Sequence, residues 1–203
     1  MSCLMIEREQ NIFFFGLCPR SDGYLQPTGQ KNARLRLEHK ADHAQYLTWK
    51  ARLLPQLFQG KPVFLKRIHP ITKKEYSYVR QQSNSSPFLG KLRKLFYPQG
   101  KKQIPKNLAK LLKSPIAFAI WYFDDGYYYS RDKCAYIYLG RVSREEAVIA
   151  SEAIKNCFGL SNRILDKKVK GFALYFSHSE LQKLKLLVEK YAPEVMTYKI
   201  NFT

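Results

Sequence analysis

The chain has 203 residues and carries 35 Lys+Arg against 16 Asp+Glu, a formal charge of +19, with 45% hydrophobic and 14% aromatic residues. That apolar content supports a core and excludes global disorder, while the excess of base points to a polyanionic partner, nucleic acid being the commonest. The longest apolar run, Pro115 to Phe123, is far short of the ~20 residues that span a bilayer, and the opening Met-Ser-Cys-Leu-Met-Ile-Glu-Arg-Glu has acids where a signal peptide has bases. No membrane partner is expected, and the expected compartment is a bacterial cytoplasm or an organelle matrix. Cys3, Cys18, Cys134 and Cys157 are scattered, so neither a disulfide framework nor a zinc ribbon is expected.

In chain order, an apolar helix is expected over Asn11–Gly23, built on Ile12-Phe13-Phe14-Phe15 and ending in Asp-Gly. A strand begins at Asn32, with Ala33, Leu35 and Leu37 on one face and Arg34, Arg36 and Glu38 on the other. Asp42 and Gln45 have capping-box spacing for the next helix. Strands follow at Val63–Ile68 and Glu75–Arg80, and Ser86-Pro87 starts a closing helix. His39 and His43 have metal-ligand spacing on one helical face, but a strand-to-helix junction intervenes and no third ligand is near.

The same order then returns. A second apolar helix, Pro115–Gly126, again ends in Asp-Gly. Cys134 opens a strand in which Ala135, Ile137 and Leu139 alternate with Tyr136 and Tyr138. Ser143 and Glu146 form the next capping-box pair; strands at Asn162–Leu165 and Gly171–Phe176 and a helix starting at Ser177…Glu180 complete the copy. Each half reads helix, two strands, helix, two strands, helix. The expectation is an α+β molecule of two pseudo-symmetric αββαββα halves, residues 1–98 and 114–203, joined by a basic linker over 99–113. From Tyr76 to Phe123 the chain has nine Lys or Arg and no acid.

The two Asp-Gly helices carry the chemistry. Both are apolar on nearly every side, so both must be buried, and Gly16 and Ala119, each six residues before Asp22 and Asp125, would let the two backbones approach. A carboxylate at the last turn of a helix is disfavoured by the partly negative C-terminus. Two such carboxylates brought together call for a cation between them, and a hard divalent metal fits.

Phe118-Ala119-Ile120-Trp121-Tyr122-Phe123-Asp124-Asp125-Gly126 resembles the nine-residue signature of the LAGLIDADG homing endonucleases, and Phe15 to Gly23 is a weaker second copy. The stretch Lys101-Lys102-Gln103-Ile104-Pro105-Lys106-Asn107-Leu108 and the tail Tyr191 to Lys199 are similar in spacing to the monomeric two-motif meganucleases encoded in organellar introns. The resemblance implies a saddle of two antiparallel sheets in the DNA major groove, packed through the motif helices. It implies Mg²⁺, with Mn²⁺ as a substitute, on Asp22 and Asp125 with help from the carbonyls of Ser21 and Asp124, and catalytic lysines at Lys102 and Lys199. The implied reaction is hydrolysis of both strands of a long asymmetric site, promoting intron mobility. Candidate DNA contacts are Arg34, Arg36, Lys66, Arg67, Tyr76, Tyr78 and Arg80 in the first half, and Tyr136, Tyr138, Arg163, Lys167 and Lys168 in the second. The alternatives on this scaffold are an RNA maturase that binds intron RNA and a DNA-binding protein that has lost cleavage. Pro19, three residues before Asp22, departs from the pattern, since proline inside a helix kinks it or ends it.

Overall fold

The computed structural model describes residues 23–202, and they divide between two compact units, one ending at Lys94 and the other beginning at Leu95. The helix expected over Asn11–Gly23, with Ser21, Asp22 and Pro19, lies outside the described residues, except that Gly23 opens a strand.

The first unit is a four-stranded antiparallel sheet of β1 (Gly23–Pro27), β2 (Ala33–Lys40), β3 (Val63–Ile68) and β4 (Glu75–Gln82), in the order β1-β2-β4-β3. Helix α1 (Ala44–Arg52) and all but the last two residues of helix α2 (Pro87–Phe96) complete it. The alternation read from the sequence holds: Ala33, Leu35 and Leu37 are buried, and Arg34, Arg36 and Glu38 are half-exposed. Tyr46, Leu47 and Ala51 of α1 are buried, and α1 packs against β2 and β4. The start of α1 corrects the expectation. Asp42 falls inside a 3-10 turn (Ala41–His43), and the residue before α1 is His43, which makes no side-chain cap. The 3-10 turn shifts the first α-helical turn past the Asp42–Gln45 spacing, so the capping box does not form. For α2 the start is as expected, with Ser86 Oγ accepting from the Leu89 N–H at 3.2 Å.

The second unit repeats the sheet with β5 (Gly126–Tyr129), β6 (Cys134–Gly140), β7 (Arg163–Asp166) and β8 (Phe172–Phe176), in the order β5-β6-β8-β7. Its helices are α3 (Leu108–Leu111), α4 (Pro115–Asp125), α5 (Arg144–Phe158) and α6 (His178–Val188). Here the capping box is real: Ser143 Oγ accepts from the Glu146 N–H at 3.2 Å, and Glu146 Oε2 accepts from the Ser143 N–H at 2.8 Å. Gly159 ends α5 in the left-handed conformation, φ +59°, as a helix C-terminus favours. Ala117 through Phe123 of α4 are all buried, the burial that a helix apolar on every side demands, and α4 packs on α6, β5 and β6.

Residues 99–113, expected as the linker, are ordered against α5. Ile104, Leu108 and Leu112 are buried, the Ile104 N–H donates to Glu146 Oε1 at 2.7 Å, and Cys157 Sγ contacts the Ala109 carbonyl at 3.3 Å. Among the described residues no helix is long and apolar enough to cross a membrane.

Candidate active site and nucleic-acid interface

The second motif delivers its acids at the end of α4. Asp124 and Asp125 are the last two residues of that helix, and Gly126 follows as the first residue of β5. A Cβ on Gly126 would lie 2.3 Å from the Tyr122 carbonyl oxygen. Only glycine therefore lets the chain turn so sharply from helix to strand, which fixes where Asp125 sits.

The C-terminal tail closes over this helix end. A 3-10 helix, Glu194–Lys199, begins after Pro193 and buries Met196 and Lys199. The Tyr122 hydroxyl donates to the Lys199 carbonyl at 2.8 Å, and burial holds the Tyr122 hydroxyl in its protonated, donating form. The ring of Phe202 meets Tyr122 and Tyr128 edge-on, at 6.5 and 4.9 Å between centroids. So anchored, Lys199, a residue only 9% exposed, donates from its ammonium to the Phe123 carbonyl at 2.5 Å, and the same nitrogen lies 3.4 Å from the Asp124 carbonyl. A cation on the last carbonyls of a helix offsets the negative end of the dipole. The sequence-predicted residues Asp124, Asp125 and Lys199 are thus brought together.

Lys102 is half-buried in the segment after the Pro98–Gly100 turn. Asp22 and Ser21, the acid and carbonyl expected from the first motif, lie outside the described residues. The donors present on α4, a carboxylate and a main-chain carbonyl, are hard oxygens of the kind Mg²⁺ and Ca²⁺ take. Among the described residues no group of three or more His, Cys, Asp or Glu is placed to hold a metal. His39 and His43 have ring centroids 6.5 Å apart, and His39 packs against the edge of Tyr46.

The face of the first sheet turned away from its helices carries most of the predicted contact residues. Strand register puts Tyr24, Arg36 and Gln82 in one row, and Glu38, Arg80 and Val63 in another. Glu38 accepts both Arg67 guanidinium nitrogens, at 2.7 and 2.9 Å, and Arg80 Nε at 2.7 Å. Burial would raise the Glu38 carboxyl, but the two arginines outweigh it and hold its pKa below the usual range. The Arg67 guanidinium also lies over the Tyr78 ring, 4.8 Å from its centroid, and Tyr76 is directly opposite Arg67. Lys66 points to the other face, opposite Ser77, and pairs with Glu75 at 2.9 Å. Arg34 lies 3.4 Å from Gln82 Oε1, and Arg36 sits over the Tyr24 ring.

The second sheet presents a different surface. Tyr127, Tyr136, Tyr175 and Arg163 form one row across all four strands. Arg163 lies over the Tyr175 ring and Lys167 over the Tyr136 ring, 4.7 and 4.6 Å from the centroids. Tyr136 and Tyr138 are stacked, and the Tyr129 and Tyr138 hydroxyls share a 2.7 Å hydrogen bond. Burial, with the neighbouring Cys134 and tyrosines, pushes the Tyr136 hydroxyl up to about 12. Lys168 is exposed in the turn between β7 and β8, at φ +53°.

Sequence reasoning missed Tyr24, Gln82, Tyr127, Tyr129 and Tyr175 on these faces, and Tyr122 behind Lys199. A signal for two of them was present: each motif ends Asp-Gly-Tyr, at Tyr24 and Tyr127. Gln82 and Tyr175 become neighbours of Arg36 and Tyr136 only through pairing across strands.

The sequence profile of the LAGLIDADG DNA endonuclease family matches residues 21–184, and the chain belongs to that family. It is similar to the solved homing endonuclease I-WcaI bound to its DNA recognition sequence, with a TM-score of 0.86 at 20% identity, over 100% of this chain and 89% of that one. It is also similar to an I-DmoI E117A complex with target DNA in the presence of Mn, with a TM-score of 0.54 at 15% identity, over 90% of this chain and 94% of that one. At these identities the likeness speaks for the fold: two four-stranded antiparallel sheets with their helices. Among curated proteins, Protein RecA of Mycolicibacterium flavescens is 28% identical over 194 residues, covering 88% of this chain and 43% of that protein. Protein RecA of Mycobacterium gastri is 28% identical over 199 residues, covering 88% and 44%. The chain spans less than half the length of these curated relatives.

Proposed function

We propose that the chain is a site-specific, metal-dependent DNA endonuclease that hydrolyses both strands of a long asymmetric target, so promoting the mobility of the element that encodes it. The observation that carries this reading is the grouping at the end of α4 in a member of a DNA endonuclease family. Asp124 and Asp125 end a buried helix, and the buried Lys199 ammonium lies on its last carbonyls. A protein that only bound DNA would gain nothing from carboxylates held toward a polyanion.

In this reading Asp125, with the Asp124 carbonyl, offers hard oxygens to a divalent metal, and Asp22 with the Ser21 carbonyl is the proposed counterpart from the first motif. Mg²⁺ is the proposed metal; the I-DmoI complex with Mn makes a divalent ion the natural choice. The metal, when bound, supplies a more acidic water and neutralises charge on the scissile phosphate. Lys199 offers a compact, rotatable cation that can turn from the carbonyls toward the attacking water or the phosphate, and Lys102 is proposed for the matching part in cleavage of the other strand. Tyr122 and Phe202 hold the tail so that Lys199 starts from one place. The two sheet faces bind the duplex, residues 1–98 and 114–203 each serving one half of the target and 99–113 joining them, in a protein acting as a monomer.

The test is selection of duplexes from a randomised pool by the full chain in Ca²⁺, followed by incubation of the recovered sites in Mg²⁺. Both strands should be cut, and Asp125→Asn should bind the same duplex with cutting reduced by more than a hundredfold. If the wild-type chain binds a selected duplex tightly and never nicks it, the endonuclease reading is wrong and a binding role replaces it. Preferential retention of structured RNA over every duplex would favour the maturase alternative.

A further inference from the structure

The strand registers put the two sheets into correspondence residue by residue. Gly23 is opposite Leu37 in β2, and Gly126 is opposite Ile137 in β6. Arg36 is opposite Gln82, and Tyr136 is opposite Tyr175. With Gly23 set on Gly126, Tyr24 matches Tyr127 and the rest of the outward face changes character. Gln26, Arg34 and Arg36 correspond to Tyr129, Cys134 and Tyr136. Glu38, Arg80 and Gln82 correspond to Tyr138, Ala173 and Tyr175.

The first face therefore presents forks and amides. Arg36 rests on Tyr24 and Glu38 ties down Arg67 and Arg80, which keeps their planes fixed. Guanidinium pairs bidentately with guanine O6/N7, and a glutamine amide with adenine N6/N7. The second face offers almost nothing of that kind. None of its outward strand positions carries a carboxylate or a side-chain amide, and its strands contribute one guanidinium, Arg163. What it offers is a continuous half-exposed tyrosine surface with edge-on and stacked rings. Two of its hydroxyls bond each other, so those two have less to offer a base. Arg163 and Lys167 lie over two rings, suited to phosphates beside an apolar floor. In the major groove the base feature matched to such a floor is the thymine C5-methyl group.

We infer that the two halves read DNA by different chemistry, the first sheet by hydrogen bonds to purine edges and the second by apolar contact of its tyrosines with thymine methyl groups. The inference rests on the endonuclease reading above and specifies its substrate: a target whose second half-site is thymine-rich.

The test uses the full wild-type chain and duplexes selected in Ca²⁺. Repeating the selection with Arg36→Ala and with Tyr136→Ala assigns each half-site to a sheet, because base preference relaxes only where the altered residue binds. Thymines in each assigned half are then replaced by uracil, which removes only the methyl. Expected is a loss of affinity of about fourfold per methyl group in the Tyr136 half, from one methyl-sized burial, and no change in the Arg36 half. Tyr136→Phe should select the same bases as wild type, since the ring and not the hydroxyl makes the contact. A Tyr136 half that tolerates uracil, or Tyr136→Phe relaxing preference as far as Tyr136→Ala, overturns the inference. Because the uracil comparison uses unaltered protein, it does not depend on any variant folding. If no duplex is enriched at all, the endonuclease reading falls and this inference with it; if a duplex is enriched and cut but uracil changes nothing, only this inference falls.

Discussion

Lys199 is a buried cation with a structural partner and a proposed chemical task, and the two are separable. Its ammonium rests on the Phe123 carbonyl, so its removal leaves a buried helix end with its orphan carbonyls less satisfied. Lys199→Met is expected to abolish cutting by at least about a hundredfold, the scale of losing one electrostatic group from a transition state, with duplex affinity within about twofold of wild type. Tyr122→Phe separates the positioning role. It removes only the hydroxyl that donates to the Lys199 carbonyl and should cost about 1 kcal/mol in urea unfolding, with cutting slowed less than by Lys199→Met. Glu38 yields a pH prediction. Its carboxyl is held below the usual range by Arg67 and Arg80 against the effect of burial. A depressed folded pKa contributes stability that is present above the unfolded carboxyl value and is lost as pH falls through the folded one. Thermal melts between pH 7 and pH 3 should show wild-type stability falling on the acid side, and Glu38→Gln should flatten part of that fall. Unchanged acid sensitivity in Glu38→Gln would count against the arginine pair as its source.

At the scale of elements, the two expected capping boxes had the same spacing in the sequence and different outcomes. Ser143 and Glu146 bond reciprocally, and Glu146 also takes the Ile104 N–H. Ser143→Ala should therefore cost about 1 kcal/mol, the usual value of an N-cap. Glu146→Ala should cost more, because it frees the Ile104 amide as well. Urea midpoints of the two variants, compared with the wild type, check the order. Asp42 and Gln45 fail because a 3-10 turn precedes α1, and spacing cannot reveal a turn whose tighter pitch is set by how the chain leaves β2. Burial on one face imposes a period of two on β2 and β6: β6 falls at its expected bounds, and β2 begins one residue later and ends two residues later than expected, while β3 also falls at its expected bounds although it is exposed along nearly its whole length. The strands directly after each motif, β1 and β5, are short and begin on a glycine, so they had too few alternations to be bounded. Of the candidate site, Asp125 and Lys199 were legible because each sits at an equivalent end of a repeat. The Tyr122 hydroxyl behind Lys199 was not, because the contact joins residues 77 apart in sequence, and in sequence Tyr122 reads only as one more ring in an apolar helix.

For the molecule as a whole, the +19 charge separates two properties that are often measured together, affinity and specificity. Cations that meet phosphates release counterions and give binding its salt dependence, whereas base contacts set preference without adding much to that slope. The two sheets distribute these roles unequally. Lys167 and Arg163 lie on tyrosine rings at the edge of the second face, while the tyrosines between them are uncharged; Tyr136, with its pKa pushed up to about 12, stays neutral throughout the neutral range. The affinity of the wild-type chain for a selected duplex should fall by about a thousandfold or more between 50 and 200 mM salt, the response expected of six or more phosphate contacts. Lys167→Gln should reduce the slope of log affinity against log salt by about 0.9, one phosphate's share, and leave the selected sequence unchanged. Tyr136→Ala should do the reverse, keeping the slope and relaxing the sequence. Fluorescence titrations at four salt concentrations, run on the same duplex for all three proteins, measure the slopes, and selection from the randomised pool by each protein measures the preference. A wild-type slope near zero would show that the charge excess is not spent on the DNA backbone, and equal slopes for Lys167→Gln and wild type would remove Lys167 from the phosphate contacts.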